Sequence, residues 1–418
     1  MLFRSWILAA LAAIAVLCAG VAGILSSDWM AEKIRLTIIQ RTGEASGGKA
    51  ELKKFDFDWK AMRVTVEGFV LHGLEGGQQA PFVSVPKATL ELQVVSFISR
   101  DIILKRLSLE GPEVHIYTDA EGRTNIPSPP KPDPKSDLIA NLLKTRIQRL
   151  EVANGTFEYD RRSLPFHLVA EQFAAALDYE PRGPAYAAEV STRHLRMNEY
   201  DGIGFDAKLR LTAGRVGIES ATVKRLGAEA VVTGQLVDLK HPRLNGRVRL
   251  TQPLAEVGVS GLRGGRATWD AEVKWDADGY SAAGPVEAQG IEWRSPEFRA
   301  RVASARGVAA VENGTVTLRQ GEAAAFGGRW RGSVDLRDWR ALKLEGEVDS
   351  ISLASVLEAV PDASFPWDGF VSGPVSLSAN LGAGGLTGAV AEARLAIAPA
   401  EEGLAAEGRS EERRGGKE

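Results

Sequence analysis

The chain holds little of what metal, redox or disulfide chemistry needs: one cysteine, five histidines and four methionines in 418 residues. A single thiol forms no internal disulfide, and it leaves the redox compartment open, because oxidising compartments hold bridge-free proteins too. His72, His115, His167, His194 and His241 are scattered without the helical spacing of a metal-ligating pair, so neither metal nor cofactor is expected. Charge of one sign is also missing. Lys and Arg total 51 against 54 Asp and Glu, a formal net charge of −3. Phosphate recognition wants a basic surplus, which excludes nucleic acid as the main partner.

Two near-motifs fail on inspection. Gly258–Gly261, GVSG, is one residue short of a nucleophile elbow. Gly43–Lys49, GEASGGK, has the spacing of a phosphate-binding loop, but Ala50 stands where the Mg²⁺-binding hydroxyl belongs, and a helix precedes it where a strand is required. Carboxylates are plentiful, yet most fall on the polar side of alternating segments, as Asp270 and Glu272 do. The chain is therefore expected not to be an enzyme. A glycosidase-type acid pair needs no local motif, and a glycan-acting β-sandwich stays open as an alternative.

Long apolar runs are equally scarce, with a single exception. Ile7–Leu25, ILAALAAIAVLCAGVAGIL, is uninterrupted, and at about 1.5 Å per residue it just crosses a hydrocarbon core of about 30 Å. It exceeds a signal-peptide core of about 7–15 residues, so it is read as an uncleaved membrane anchor. The expected anchor residues are Ile7, Leu8, Leu11, Ile14, Val16, Leu17, Val21, Ile24 and Leu25. Cys18 follows Leu17 rather than a small residue, which fits a packed apolar position better than a lipoprotein site. Arg4 precedes the run while Asp28 and Glu32 come after it, placing the N-terminus in the cytoplasm and the body outside.

Beyond Leu25 the chain is rich in glycine, of which it has 44 in all, and in short alternating segments. Ser27 or Asp28 caps an amphipathic helix carrying Met30, Ile34 and Ile38 at i, i+4 spacing and ending at Gly43. From Phe55 the period drops to two: FDFDW, Arg63–Val70, Thr89–Val94, Leu107–Leu109 and Glu113–Tyr117 read as half-buried antiparallel strands. The prolines of Pro127–Asp137 break any ladder and mark a linker. A second helix is expected from Asp137 to Gln148, and strands resume at Gly155–Tyr159, Phe166–Ala170 and Phe205–Leu211. A short helix capped at Ser352 stops before Pro361. VANGTFEY from Val152 and VENGTVTL from Val311 echo one another as starts of a repeated β unit.

The clearest alternation is Ala267–Trp275, ATWDAEVKW, with Trp269, Ala271, Val273 and Trp275 on one side and Asp270, Glu272 and Lys274 on the other. Such strands have one dry face. Two arrangements use it: a closed sandwich, or a trough whose apolar face stays open to acyl chains. Candidate groove-lining residues are Leu90, Leu92, Val94, Trp269, Ala271, Val273, Trp275, Trp330, Val334 and Leu336.

Several segments carry a family resemblance. The anchor and helix, then KFDFDW (Lys54–Trp59), VTVEGFVL (Val64–Leu71), VSVPKATLEL (Val83–Leu92), IILKRLSLEGPEVHIY (Ile102–Tyr117) and the DAEGRTNIP turn (Asp119–Pro127) resemble the start of AsmA-like, TamB-type translocation and assembly proteins of bacterial envelopes. NGTFEYDRR (Asn154–Arg162) and FVSGPVSL (Phe370–Leu377) are similar to later family segments. The resemblance implies a single-pass inner-membrane anchor carrying an elongated β groove across the periplasm. It also implies transport of phospholipid toward the outer membrane or help in outer-membrane protein assembly, with a barrel assembly protein as partner and no active-site residues. Family members are longer, and the charged tail GRSEERRGGKE (Gly408–Glu418) looks like translated adapter sequence, so the natural chain is expected to continue.

The expected fold class is thus mainly β: an N-terminal transmembrane helix, then an elongated, curled antiparallel β-sheet groove with a few short amphipathic helices. The expected parts are residues 1–27, anchor; 28–126, first β segment; 127–136, linker; 137–407, β-groove body; and 408–418, non-native tail. Expected partners are the phospholipid bilayer and acyl lipids.

Overall fold

The structure, a computed structural model, describes residues 28–77, 79–96, 101–128, 142–143, 146–162, 166–238, 241–296, 298–360, 368–382 and 385–400. Ile7–Leu25 lies outside them, as does most of the proline-rich linker. No helix among the described residues is long and apolar enough to cross a membrane. The chain divides into two compact units, Met1–Arg247 and Val248–Glu418. Residues 28–126 fall in the first of these, and the segment expected over 137–407 is shared between the two.

The first helix, α1 (Asp28–Ser46), buries Ile34, Ile38, Thr42 and Ser46, one residue per turn at i, i+4 spacing. The expected end at Gly43 is corrected: the helix runs one turn further. Ser46 Oγ donates to Thr42 O at 2.7 Å and accepts from Gly48 N at 3.1 Å, which satisfies the helix terminus. The stop comes at Gly47, whose φ of 75° is the left-handed conformation favoured at a helix end. Lys49 then opens a strand and pairs with Glu51 at 2.7 Å, so the loop geometry of a phosphate site is missing.

The unit formed by Met1–Arg247 continues with β1 (Lys49–Asp58), β2 (Arg63–His72), β3 (Val83–Ser96), β4 (Asp101–Glu110), β5 (Glu113–Thr118) and β6 (Arg149–Arg161). After them come β7 (Phe166–Glu180), β8 (Ala185–Met197), β9 (Tyr200–Thr212), β10 (Arg215–Arg225), β11 (Ala228–Val237) and β12 (Arg243–Pro253), whose last residues pass into the second unit. Strands β1 to β4 pair antiparallel in sequence, and so do β6 to β11. Helix α1 covers the first of these: Ile34 and Ile38 pack with Leu52, Phe55, Val64, Val66, Leu104, Leu107 and Ile147.

One joint is not antiparallel, which corrects the all-antiparallel expectation. β6 runs parallel to both β4 and β5. A hairpin cannot make a parallel pair, because the chain must return to the starting end by a longer crossover. The segment between Thr118 and Arg149 supplies that length. Asn125, within the DAEGRTNIP turn, fixes its first part: its Oδ1 accepts from Tyr117 N at 2.9 Å and its Nδ2 donates to His115 O at 2.8 Å. Ile126 then enters the core beside Leu71, Phe82 and Ile116. Within the expected helix Asp137–Gln148, Leu142 and Leu143 are helical and Ile147 is buried; most of its other positions lie outside the described residues.

The second unit contains β13 (Leu262–Trp275), β14 (Tyr280–Arg294), β15 (Arg299–Glu312), β16 (Thr315–Ala325), β17 (Gly328–Arg337), β18 (Ala341–Ser352) and β19 (Gly369–Gly382). Each pairs antiparallel with the next. β20 (Gly385–Ala393) and β21 (Ala396–Pro399) succeed one another along β19. The short helix α2 (Leu353–Ala359) starts as expected, with Ser352 Oγ accepting from Ser355 N at 3.3 Å.

The two Asn-Gly-Thr triplets do different work, so they do not mark one repeated unit. Asn313 (φ 42°) and Gly314 (φ 88°) are the two central residues of the hairpin joining Glu312 to Thr315. Asn154 (φ 55°) sits inside β6 at a register shift and makes a bulge. Further shifts occur in β16 at Gln320 (φ 52°) and in β18 at Ser350 (φ 57°). Bulges bend a strand and increase its twist, so strands of both units carry local bends.

Candidate functional site

In the first unit a cavity of about 580 Å³ opens beside the core under α1. Its wall draws on β2 and β3 (Val66, Phe69, Val83, Val85), β4 and β5 (Leu109, Val114), and β6 (Val152, Phe157). β7 to β9 add Leu168, Ala170, Phe173, Leu195 and Phe205, and Ile38 of α1 reaches in from the helix. No charged side chain contributes. The hydroxyl-bearing residues are Thr156 and Thr192, and Thr192 Oγ1 is already committed to Glu171 O at 2.6 Å. A wall of this kind offers an occupant apolar contact and almost no polar handle.

The strand pattern explains why the wall is dry. Val152 and Phe157 of β6 both line the cavity although their sequence phases differ, and so do Ala170 and Phe173 of β7, because the Asn154 bulge and the positive φ of Gln172 (52°) reset the alternation. Residues with the opposite phase carry the polar chemistry. Glu158, next to Phe157, takes His115 Nδ1 at 2.8 Å on one carboxylate oxygen and His167 Nε2 at 3.0 Å on the other, and Tyr117 donates to it at 3.3 Å. Burial pushes the Glu158 carboxyl up, but the two imidazole hydrogen bonds outweigh it and leave it below the ordinary glutamate range. Desolvation and the facing Glu158 charge raise the Tyr117 phenol. These groups satisfy one another. Among the described residues no cluster of histidines, cysteines and carboxylates is arranged to hold a metal ion.

In the second unit the apolar side chains line up across the strands by register. One row runs Val273, Ala282, Val311, Val316, Leu336, Leu342, Ala379. The next runs Gly284, Ala309, Leu318, Val334, Leu344, Leu377, and a third passes from Ala267 through Ala288, Ala305 and Ala323 to Trp330 and Val348. Central members such as Leu318, Val334 and Leu344 are only half-buried. In a two-layer sandwich, residues in the middle of the inner face are buried by the opposing sheet, about 10 Å away. Here they retain exposure. The other face carries cross-strand ion pairs, among them Arg306–Glu322 at 2.6 Å and Arg319–Asp335 at 2.8 Å. Exposed pairs of this sort add little stability, but they mark the wet side.

The expected lining residues divide into three groups. Leu90 and Leu92 are 4% and 5% exposed and are used up by packing under α1, so they face no open groove. Trp269, Val273, Trp330, Val334 and Leu336 lie half-buried on the apolar face of the second unit, with Ala271 buried beside Trp269. Trp275, at the end of its strand, is 44% exposed. The Val94 side chain lies outside the described residues, as do Ile7, Leu8, Leu11, Ile14, Val16, Leu17, Val21, Ile24 and Leu25. Of the cavity residues, Phe157, Leu168 and Phe205 belong to segments expected as strands, whereas Phe173 lies past the expected end at Ala170 and Leu195 lies in a strand, Ala185–Met197, that is not among those expected from the sequence. Which side of each strand faces inward depends on bulges that leave no sequence signal beyond Asn-Gly.

No family model matches this chain, and no curated protein matches it.

Proposed function

We propose that this chain is a membrane-anchored envelope protein whose apolar β surfaces hold the acyl chains of phospholipid, as in the AsmA-like, TamB-type proteins that its segments resemble. On this reading Ile7–Leu25 is a single-pass inner-membrane anchor with the N-terminus in the cytoplasm. The β body stands in the periplasm as a curled groove and carries lipid between the two membranes or assists outer-membrane protein assembly. The observation that carries the reading is the charge-free cavity of about 580 Å³, within the range of about 300–1,000 Å³ typical of small-molecule sites.

Burying a methylene gains about 0.8 kcal/mol, so ten of them gain roughly 8 kcal/mol before the cost of ordering the chain. A lipid headgroup finds no partner in this wall and stays outside it. The half-buried rows of the second unit offer the same chemistry over a flatter surface.

The test is lipid mass spectrometry of the full chain extracted in mild detergent, compared with Ala170→Trp, which fills the cavity wall and leaves the anchor segment untouched. The wild type carries phospholipid above the variant's level. Equal lipid in two folded proteins with matching circular dichroism overturns the reading.

A further inference from the structure

The hairpins β13–β14, β15–β16 and β17–β18 turn at the same end of the second unit's sheet, and exposed aromatics gather there. Trp275 and Tyr280 stand opposite one another, each 44% exposed, and extend the row of Val273 and Ala282. Trp339 is 56% exposed. Asn313 ties the neighbouring turns: its Oδ1 accepts from Tyr280 N at 3.1 Å, and its N donates to Tyr280 O at 3.3 Å. The Trp339 indole reaches the next turn, with Nε1 3.9 Å from where a Cβ on Gly314 would stand. The opposite end of these strands differs. Phe298 and Phe326 are half-buried there against each other, ring centres 6.1 Å apart, and α2 packs beside β15.

Trp339 is also strained. Arg340 N donates to Arg337 O at 2.9 Å, and the two residues this turn encloses, Asp338 and Trp339, have φ of 52° and 57°. Asp tolerates the left-handed region, but such a turn favours Gly at its second position, and a bulky aromatic there is an outlier. Neither backbone preference nor core packing accounts for an exposed Trp in that place. Strain of this kind clusters where a function uses the side chain.

We propose that this rim seats the headgroup of a zwitterionic phospholipid, a phosphate ester bearing a primary ammonium, while its acyl chains lie along the apolar rows; the inference rests on the lipid-holding reading above. An indole or phenol suits a boundary with an apolar surface on one side and water on the other, which is where these rows end. The charges at the rim select the headgroup. Asp276 is spent on its own turn, accepting from Asp278 N at 2.9 Å and Gly279 N at 3.2 Å. Asp338 and Arg340, flanking Trp339, are exposed and held in no ion pair among the described residues. One guanidinium for the phosphate and one carboxylate for the ammonium match a zwitterion, whereas an anionic headgroup leaves the carboxylate unanswered.

The test uses the full chain in mild detergent, carrying Ala170→Trp so that the first unit's cavity is filled. It is given equal amounts of phosphatidylethanolamine and phosphatidylglycerol, and captured lipid is quantified by mass spectrometry. Phosphatidylethanolamine is held in excess by about two- to fivefold, the range of exposed charge contacts. Asp338→Lys turns the preference toward phosphatidylglycerol, and Arg340→Glu lowers capture of both. Trp339→Gly raises the thermal midpoint, because glycine adopts the left-handed turn without strain, yet it captures less lipid. Equal capture of the two lipids overturns the proposal. So does a preference that neither charge reversal moves, or a Trp339→Gly protein that keeps its lipid. If the Ala170→Trp chain holds no lipid while the wild type does, the headgroup seat falls and the cavity reading stands; a wild type without phospholipid ends both.

Discussion

The Trp330 indole lies down against Gly346, so that a Cβ on Gly346 would sit 2.5 Å from its Nε1. Gly321 and Gly332 carry the rest of the ring: a Cβ at Gly321 would meet Cζ3 at 2.9 Å, and one at Gly332 would meet Cζ2 at 2.6 Å. These glycines face one another across β16, β17 and β18. A large aromatic thereby covers the apolar face without standing up from it. Its Nε1 is buried with no hydrogen-bond partner among the described residues, a cost of about 1–3 kcal/mol that the packing offsets.

This contact implies an energetic coupling. Gly321→Ala forces the indole up and destabilises by about 1–3 kcal/mol, the usual range for overpacking. In Trp330→Ala the same glycine change costs much less, because its nearest contact has gone. A denaturant-based double-mutant cycle measures this. Additive effects contradict the flat indole.

Asn125 is predicted to matter beyond its position in a turn. Asn125→Ala leaves Tyr117 N and His115 O of β5 without their side-chain partners, for a loss of about 1–3 kcal/mol. The loss registers as a lower thermal midpoint. Hydrogen exchange localises it to β5 and the parallel joint with β6.

The Glu158 bridge sets a pH dependence. Its folded-state pKa lies below the ordinary value, so its contribution is complete above the unfolded glutamate pKa and is lost as pH falls through the lowered folded value. Wild-type stability therefore falls on acidification in a window reaching below the ordinary carboxylate range. Glu158→Gln is less stable near neutrality, and the gap to wild type closes at the acid end. A gap that stays constant with pH contradicts the bridge.

How far the sequence revealed this molecule depended on how local the cause was. The Ala267–Trp275 alternation, the Ser352 cap and the i, i+4 face of α1 were legible because each rests on near neighbours. The extension of α1 to Ser46 was hidden by Gly43, which usually ends a helix but is tolerated here while Thr42 and Ser46 face the core. The parallel placement of β6 depends on pairing between distant segments, which hydrophobic period does not encode. Leu90 and Leu92 read as groove positions, since period two says which residues share a face but not that a helix covers it. Nor does period announce the bulges at Asn154 and Gln320 that decide which side chains turn inward.

The central claim is that inward-facing apolar positions meet acyl chains while their outward neighbours do not. Photo-crosslinking amino acids placed singly at Phe157, Val273 and Leu344, and at the adjacent Glu158, Glu272 and Glu345, test it in intact cells. The account predicts phospholipid adducts at the first three positions and none above background at the second three. Equal capture on both faces, or adducts confined to the carboxylate positions, would contradict it.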